Sequence, residues 1–302
     1  MKKTSEKPFN SLLDVVKRFP DEKSCREYLA YARWGDLPIC VHCGYTEKIY
    51  RINDGKLYKC AKCRKQFTVR VGTIFEDSAL PLQKWFMAIY LLTAHKKGIS
   101  SVQLGKDIGV TQKTAWFMLH RIRYAVRTKT FNKKLSGTIE ADETYVGGHG
   151  HKAGRGSEAK TPVFGMAQRG GDVEAQAVTR VNMETLVPIL NERVDSDSTI
   201  MTDEWKAYQK LGRRFKSHQH VNHNRGEYAR GDVHTNTIES FWSMLKRGIY
   251  GIYHHVSPKH LDKYVDEFEF RCNSKHVADA RRFGLMLNIC QGRLTHEQLI
   301  GS

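Results

Sequence analysis

Three acidic residues sit where a bare carboxylate is costly. Asp142 lies in the run Thr138-Ile139-Glu140-Ala141-Asp142-Glu143-Thr144-Tyr145-Val146, and Asp203 closes Ser198-Thr199-Ile200-Met201-Thr202-Asp203. Both runs are β-branched and read as strands, whereas Glu239, in Asn236-Thr237-Ile238-Glu239-Ser240-Phe241-Trp242, lies on a helix-like stretch ending in Lys246-Arg247. An acid on a core-type strand needs a partner or a cation to offset its loss of water. Mg²⁺ or Mn²⁺ meets that need. Such ions take oxygen ligands and keep positions open for phosphate oxygens and water, which suits phosphodiester cleavage.

Of the seven cysteines, four are spaced as Cys40-x2-Cys43, then sixteen residues, then Cys60-x2-Cys63. Two such knuckles bring four thiolates to one structural Zn²⁺, with the intervening Tyr45–Tyr58 segment free to form a small hairpin. Disulfide pairing is the competing reading, disfavoured in a reducing compartment. His42 falls inside the first knuckle, but four cysteines already suffice. Cys25, Cys272 and Cys290 lack partners at ligand spacing and read as semi-buried thiols.

The elements that must position these groups divide the chain. After the cysteines, Pro81–Leu92 reads as a buried helix with an early proline. Ser100–Arg123 then reads as helix, Gly109-centred turn and a helix capped by Thr111, with Trp116, Leu119 and Ile122 on its core face. In a helix-turn-helix of that kind Gln112, Lys113 and Thr114 start the recognition helix and Arg121 and Arg123 lie near phosphates, although the same geometry occurs in proteins that never touch DNA. Residues 128–136 read as a polar hinge. Beyond it, Thr138–Val146, Thr161–Gln168, Val173–Val181 and Ser198–Thr202 are expected strands and Met183–Val194 an expected helix. The Gly-rich basic stretch Gly147–Ser157 reads as a hairpin tip or as a flap over nucleic acid. A meander, a helix, a further strand and a late helix suggest an α/β fold with a mixed sheet of RNase H type.

Charge follows the same division. The chain of 302 residues carries a net charge of +17, yet residues 1–136 hold 27 Lys+Arg against 11 Asp+Glu, or +16, leaving 22 against 21, or +1, for residues 137–302. That asymmetry fits a phosphate-binding module joined to a separate acidic-site module. With 40% apolar residues the chain can bury a core, and its longest apolar run, Trp85–Leu92, is too short to cross a bilayer. The polar opening Met1–Lys7 has no apolar segment after it, so no membrane partner and a cytoplasmic, nucleoid-associated location are expected.

Sixty residues separate Asp142 from Asp203, thirty-five separate Asp203 from Glu239, and Lys246 follows seven residues after Glu239. On one helix those seven steps put Glu239 and Lys246 on one face, roughly 10 Å apart. Two Asp, a Glu and a following basic residue at these spacings resemble the catalytic set of DDE transposases and retroviral integrases. The motifs Glu140–Gly148, Thr202–Tyr208 and His234–Gly248, downstream of a zinc ribbon, narrow the resemblance to bacterial insertion-sequence transposases related to the eukaryotic Merlin elements.

The resemblance implies DNA strand cleavage and 3′-hydroxyl transfer, with two Mg²⁺ or Mn²⁺ ions held by Asp142, Asp203 and Glu239. Asn236 is a rival third residue, because some members of that group use Asn. The expected partners are the element's terminal inverted repeats and a target duplex, bound by a homodimer or larger assembly, with Lys246 and Arg247 toward phosphates. The expected division is an N-terminal helical segment at 1–35, a zinc ribbon at 36–75, a helix-turn-helix DNA-binding domain at 78–127, an RNase H-like catalytic domain at 137–280 and a C-terminal tail at 281–302.

Strand alternation puts Glu143 on the face opposite Asp142, with Glu140 on the same face. Either could be solvated. Asp232 and His234 read as groups that orient water or phosphate, or as plain loop residues. His218, His220 and His223 read as a polar loop along DNA, with a transition-metal site the alternative, and Trp205 and Trp242 as core packing, with base stacking the alternative. A covalent route through Tyr145 remains formally open. The alternatives to a transposase are a DNA-binding regulator with a non-catalytic C-terminal half and an RNase H-like nuclease that does not join strands.

Overall fold

The computed structural model describes residues 9–127, 133–147, 160–203, 214–221 and 229–300. The Gly-rich stretch from 148 onward, most of the hinge, Trp205 and His223 lie outside the described residues. The chain forms two compact units, one of residues 1–129 with 276–302, the other of residues 130–275.

The first unit opens with α1 (Leu12–Arg18), capped by Ser11, and α2 (Glu22–Trp34), closed at its start by a capping box in which Asp21 and Ser24 exchange hydrogen bonds. A small antiparallel sheet follows, β1 (Ile49–Ile52), β2 (Leu57–Cys60) and β3 (Gln66–Phe67), in the order β1-β2-β3. Three helices come next, α3 (Leu82–Ala94), α4 (Ser101–Ile108) and α5 (Gln112–Arg127). Gly109 ends α4 in the left-handed region at φ 62°, a conformation glycine adopts without a Cβ penalty, and Lys84 Nζ donates to its carbonyl at 2.7 Å. The buried stripe of α5 is Ala115, Met118, Leu119, Ile122, Ala125 and Val126. Trp116, expected on that stripe, is only half-buried, and its ring lies 4.3 Å from that of the buried His120.

The second unit is built on a five-stranded sheet. Its strands are β4 (Thr138–Gly147), β5 (Lys160–Gln168), β6 (Val173–Ala177), β7 (Thr199–Thr202) and β8 (Ser217–His220), ordered β6-β5-β4-β7-β8. The β6-β5-β4 meander is antiparallel, and β4, β7 and β8 run parallel. The helices are α6 (Met183–Arg193) between β6 and β7, then α7 (Asn236–Gly248) and α8 (Leu261–Asn273). Ile139 and Ala141 pack with Leu186, Val187 and Leu190 of α6, while Val146, Val163 and Ala175 pack with Ile238, Phe241, Leu245, Val265 and Phe268 of α7 and α8. A mixed sheet with helices on both faces fits the expected RNase H-like fold.

The β6 edge is closed by side chains. Asn273, Glu269 and Asp262 of α8 accept the amides of Val173, Ala175 and Ala177, so the edge offers no free row of donors for another strand. The strand expected over Val173–Val181 stops at Ala177, which pairs with Val163 near the start of β5, where the ladder runs out.

Two expectations are corrected here. Ser217–His220 is a strand at the far edge of the sheet and not a loop, because pairing with β7 supplies what its polar sequence lacks. Residues 281–302 are not a tail. They belong to the first unit, where α9 (Asp279–Ile289) and α10 (His296–Ile300) form and Phe283 is buried against Phe86 at 5.5 Å. No described helix is long and apolar enough to cross a membrane.

Candidate active site and cysteine cluster

The four expected cysteines converge. Cys60 ends β2, Cys63 lies in the turn to β3, and Cys40 and Cys43 lie in the turn before β1. Their sulfurs lie within 4.8 Å of one another, with Cys40–Cys63 at 3.6 Å and Cys43–Cys60 at 3.7 Å. A tetrahedron with Zn–S bonds of about 2.3 Å has edges of about 3.8 Å, so the set fits Zn²⁺. All four are free thiols, and His42 turns instead toward the Gln66 carbonyl at 3.2 Å.

In the second unit, β4 and β7 pair through Glu140↔Met201, and two further steps along both strands bring Asp142 abreast of Asp203. The carboxylates of Asp142, Asp203 and Glu143 lie within 4.8 Å of one another. Alternation had sent Glu143 to the other face. It sits beyond the end of the β4–β7 ladder, where a longer side chain can turn back toward the strand end, and strand periodicity does not report such a turn. The donor set is all oxygen, which fits a hard divalent cation. Burial first, then the Glu143 and Asp203 carboxylates, push the Asp142 carboxyl up to about 7. The Glu143 amide and the Trp242 indole, whose Nε1–H donates to Asp142 Oδ2 at 3.0 Å, work in the opposite direction.

Beside Asp203, Thr202 Oγ1 bonds the Asp203 carbonyl and His218 Nε2, each at 2.8 Å. Burial, followed by the charge of His220, holds the His218 imidazole below its ordinary range.

Helix α7 carries Glu239 and Lys246 on one face, two turns apart. Glu239 is exposed, stands outside the three-carboxylate group and accepts the Thr235 hydroxyl at 2.7 Å. Asn236 is the exposed first residue of the helix. Arg247 is exposed, with Nε on the Ser243 carbonyl at 3.1 Å.

Glu140 is no solvated flank: it is fully buried. Its Oε2 accepts the amides of Thr237 at 2.6 Å and Ile238 at 3.1 Å, and its Oε1 accepts Arg169 Nε at 2.8 Å and Thr237 Oγ1 at 3.0 Å. His234 Nδ1 lies 3.2 Å from the same Oε1.

In the first unit Gln112 and Lys113 are exposed at the start of α5, with Thr114 half-buried. Arg121 and Arg123, expected to reach phosphates, are buried, at 4% and 1% exposure. Arg121 lies over the Trp85 and Phe117 rings and donates to the Glu76 carbonyl, so its charge is spent inside the unit.

A four-cysteine ribbon in one unit and an acid-lined mixed sheet in the other define the make-up of a zinc-ribbon transposase. Residues 134–273 match the ISXO2-like transposase domain, and residues 20–66 match the transposase zinc-ribbon domain. A protein in transposable element ISH50 of Halobacterium salinarum is 32% identical over 280 residues, covering 85% of this chain and 92% of that protein. A transposase-like protein of Haemophilus influenzae is 31% identical over 100 residues, covering 33% of this chain and 80% of its own length. The chain belongs to the ISXO2-like transposase family.

Proposed function

We propose that this transposase cuts the ends of its own mobile element and joins the freed 3′-hydroxyl to target DNA. The observation that carries the reading is the convergence of Asp142, Asp203 and Glu143 beyond the β4–β7 ladder, with the Asp142 carboxyl pushed up to about 7 when no cation is present. Asp142 and Asp203 offer oxygens to Mg²⁺ or Mn²⁺, and Glu239 approaches from α7. When bound, the ions supply Lewis-acid polarisation of the phosphodiester and stabilise developing charge on the oxygens of the in-line displacement. In the first step water attacks phosphorus and the 3′-oxygen of the element end leaves. In the second that 3′-hydroxyl attacks a target phosphorus and the target's 3′-oxygen leaves, so no protein nucleophile is required. Lys246 and Arg247 provide cationic contacts for the strand.

The first unit is read as the DNA-holding module, its zinc ribbon held by Cys40, Cys43, Cys60 and Cys63. Helices α4 and α5 act as a helix-turn-helix that offers Gln112, Lys113 and Thr114 to base edges of the terminal repeats. Two ends must be joined together, so the working assembly is a dimer or larger.

The test uses a purified chain, a terminal-repeat duplex and Mg²⁺ or Mn²⁺. Nicking and joining are expected, and Asp203→Asn should abolish both while leaving duplex binding intact. Cleavage retained in that variant would remove Asp203 from the chemistry.

A further inference from the structure

We infer that Glu140 and Arg169 form a positioning pair that fixes the start of α7 against β4 and so sets where Glu239 stands relative to Asp142. The inference rests on the catalytic reading above and adds two residues that bind no ion themselves. Thr235, the N-cap of α7, makes no side-chain bond to the helix amides. The carboxylate that caps α7 comes instead from the sheet, as Glu140 takes the amides of Thr237 and Ile238, two of the orphan donors every helix start presents. Arg169, one residue past β5, then ties together three pieces. Its Nε bonds Glu140 Oε1 at 2.8 Å, its Nη1 the Asp232 carbonyl at 2.7 Å and its Nη2 the His234 carbonyl at 2.9 Å.

The placement matters. Glu140 lies two residues before Asp142 on the same strand face, and the amides it holds immediately precede Glu239. A helix free to slide along the sheet would carry Glu239 and Lys246 with it, and a shift of about 1 Å is enough to cost a phosphoryl-transfer site much of its rate. The chemistry of the clamp also explains the choice of residue. Both oxygens of Glu140 face donors, so an amide at this position must turn an N–H toward another N–H whichever way it lies.

The experiment compares full-length Glu140→Gln, Arg169→Lys and wild type. Amide exchange at Thr237 and Ile238 reads the clamp itself, and the cleavage rate at saturating duplex reads its consequence. Glu140→Gln should unfold cooperatively, bind the terminal repeat within about twofold of wild type, lose at least about tenfold protection at those two amides and cleave about 10–100-fold more slowly. Arg169→Lys, which keeps the charge, should retain part of both. Unchanged protection in Glu140→Gln overturns the clamp, and lost protection with an unchanged rate overturns the positioning role. Should Glu140→Gln fail to fold, Thr237→Val removes only the Oγ1 bond and should lower the rate several-fold; a wild-type rate in that variant counts against the proposal. An inactive wild-type chain would instead sink the catalytic reading, and the exchange comparison would still decide whether the clamp exists.

Discussion

Trp242 donates its indole N–H to the Oδ2 of Asp142 at 3.0 Å, so the helix that carries Glu239 is hydrogen-bonded to the strand acid it is meant to work with. This bond favours the charged form of Asp142 against the burial and the two neighbouring acids that oppose it. Trp242→Phe keeps an aromatic ring, though a smaller one, and loses the donor. Divalent-ion affinity should fall roughly 10-fold, within the range expected for loss of a group that orients a metal ligand. Titration of Mn²⁺ by calorimetry checks this, and unchanged affinity would mean the indole only fills space.

The same pair predicts a packing effect. Gly165 sits opposite Asp142 in the β4–β5 ladder, and a Cβ there would lie 2.5 Å from Trp242 Cη2 and 2.9 Å from Ile238 Cδ1. Gly165→Ala must therefore push α7 off the sheet or displace the indole from Asp142. A loss of about 1–3 kcal/mol in denaturant unfolding is expected, together with slower cleavage. Stability equal to wild type would show that α7 can move without strain.

Titration of Asp142 gives a pH prediction with a definite sign. Its folded pKa, about 7, lies above the ordinary 3.8, so the favourable contribution is full below the unfolded value and is lost as pH rises through about 7. Metal-free Asp142→Asn should be more stable than metal-free wild type at pH 8, by roughly 1–4 kcal/mol, with the gap closing toward pH 4. Saturating Mg²⁺ should reverse the order at pH 8, since only the wild type gains a partner for the charge. Calorimetric scans across pH, with and without the ion, measure both; a gap that widens toward acid would contradict the assignment.

How much of this was legible in the sequence varies with the kind of signal. Cysteine spacing places four sulfurs around one point because ligand geometry constrains spacing directly, and the β-branched runs around Asp142 and Asp203 carry a period of two that survives folding. Glu143 and Glu140 were not legible. The first depends on a ladder that ends before it, and the second on a helix start nearly a hundred residues away. Arg121 and Arg123 show the opposite failure. Their charge suggested phosphate, but on a helix with this buried stripe the Arg121 guanidinium lies over Trp85 and Phe117 and Arg123 is buried. His218 and His220 form a strand only because β7 offers an unpaired edge, which a polar stretch cannot announce.

The cysteine cluster should hold one Zn²⁺ per chain, measurable by elemental analysis of the purified protein. Cys60 belongs to a small core with Tyr58 and Phe67, so Cys60→Ser should both release the metal and loosen that core. Terminal-repeat binding should fall at least 10-fold. Mn²⁺ uptake by the second unit should be unaffected, because the acids lie in the other of the two compact units. Loss of Mn²⁺ uptake in Cys60→Ser would mean that the two units do not fold independently.

The third carboxylate is the sharpest question the site poses. Glu143 already lies with Asp142 and Asp203, while Glu239 is held by the Thr235 hydroxyl and Asn236 opens the same helix. Only a carboxylate brings full negative charge to the ion, which favours either Glu over Asn236. Glu143→Gln, Glu239→Gln and Asn236→Ala should therefore separate by what they lose. If Glu239 enters the coordination shell only once DNA is bound, Glu239→Gln should leave Mn²⁺ affinity of the free protein within about twofold and reduce cleavage by 100-fold or more. Glu143→Gln should weaken Mn²⁺ binding to the free protein about 10-fold or more, and Asn236→Ala should slow cleavage by less than Glu239→Gln does. Weakened Mn²⁺ binding in free Glu239→Gln, with none in Glu143→Gln, would invert the assignment and leave Glu143 as a buried acid that only raises the Asp142 pKa.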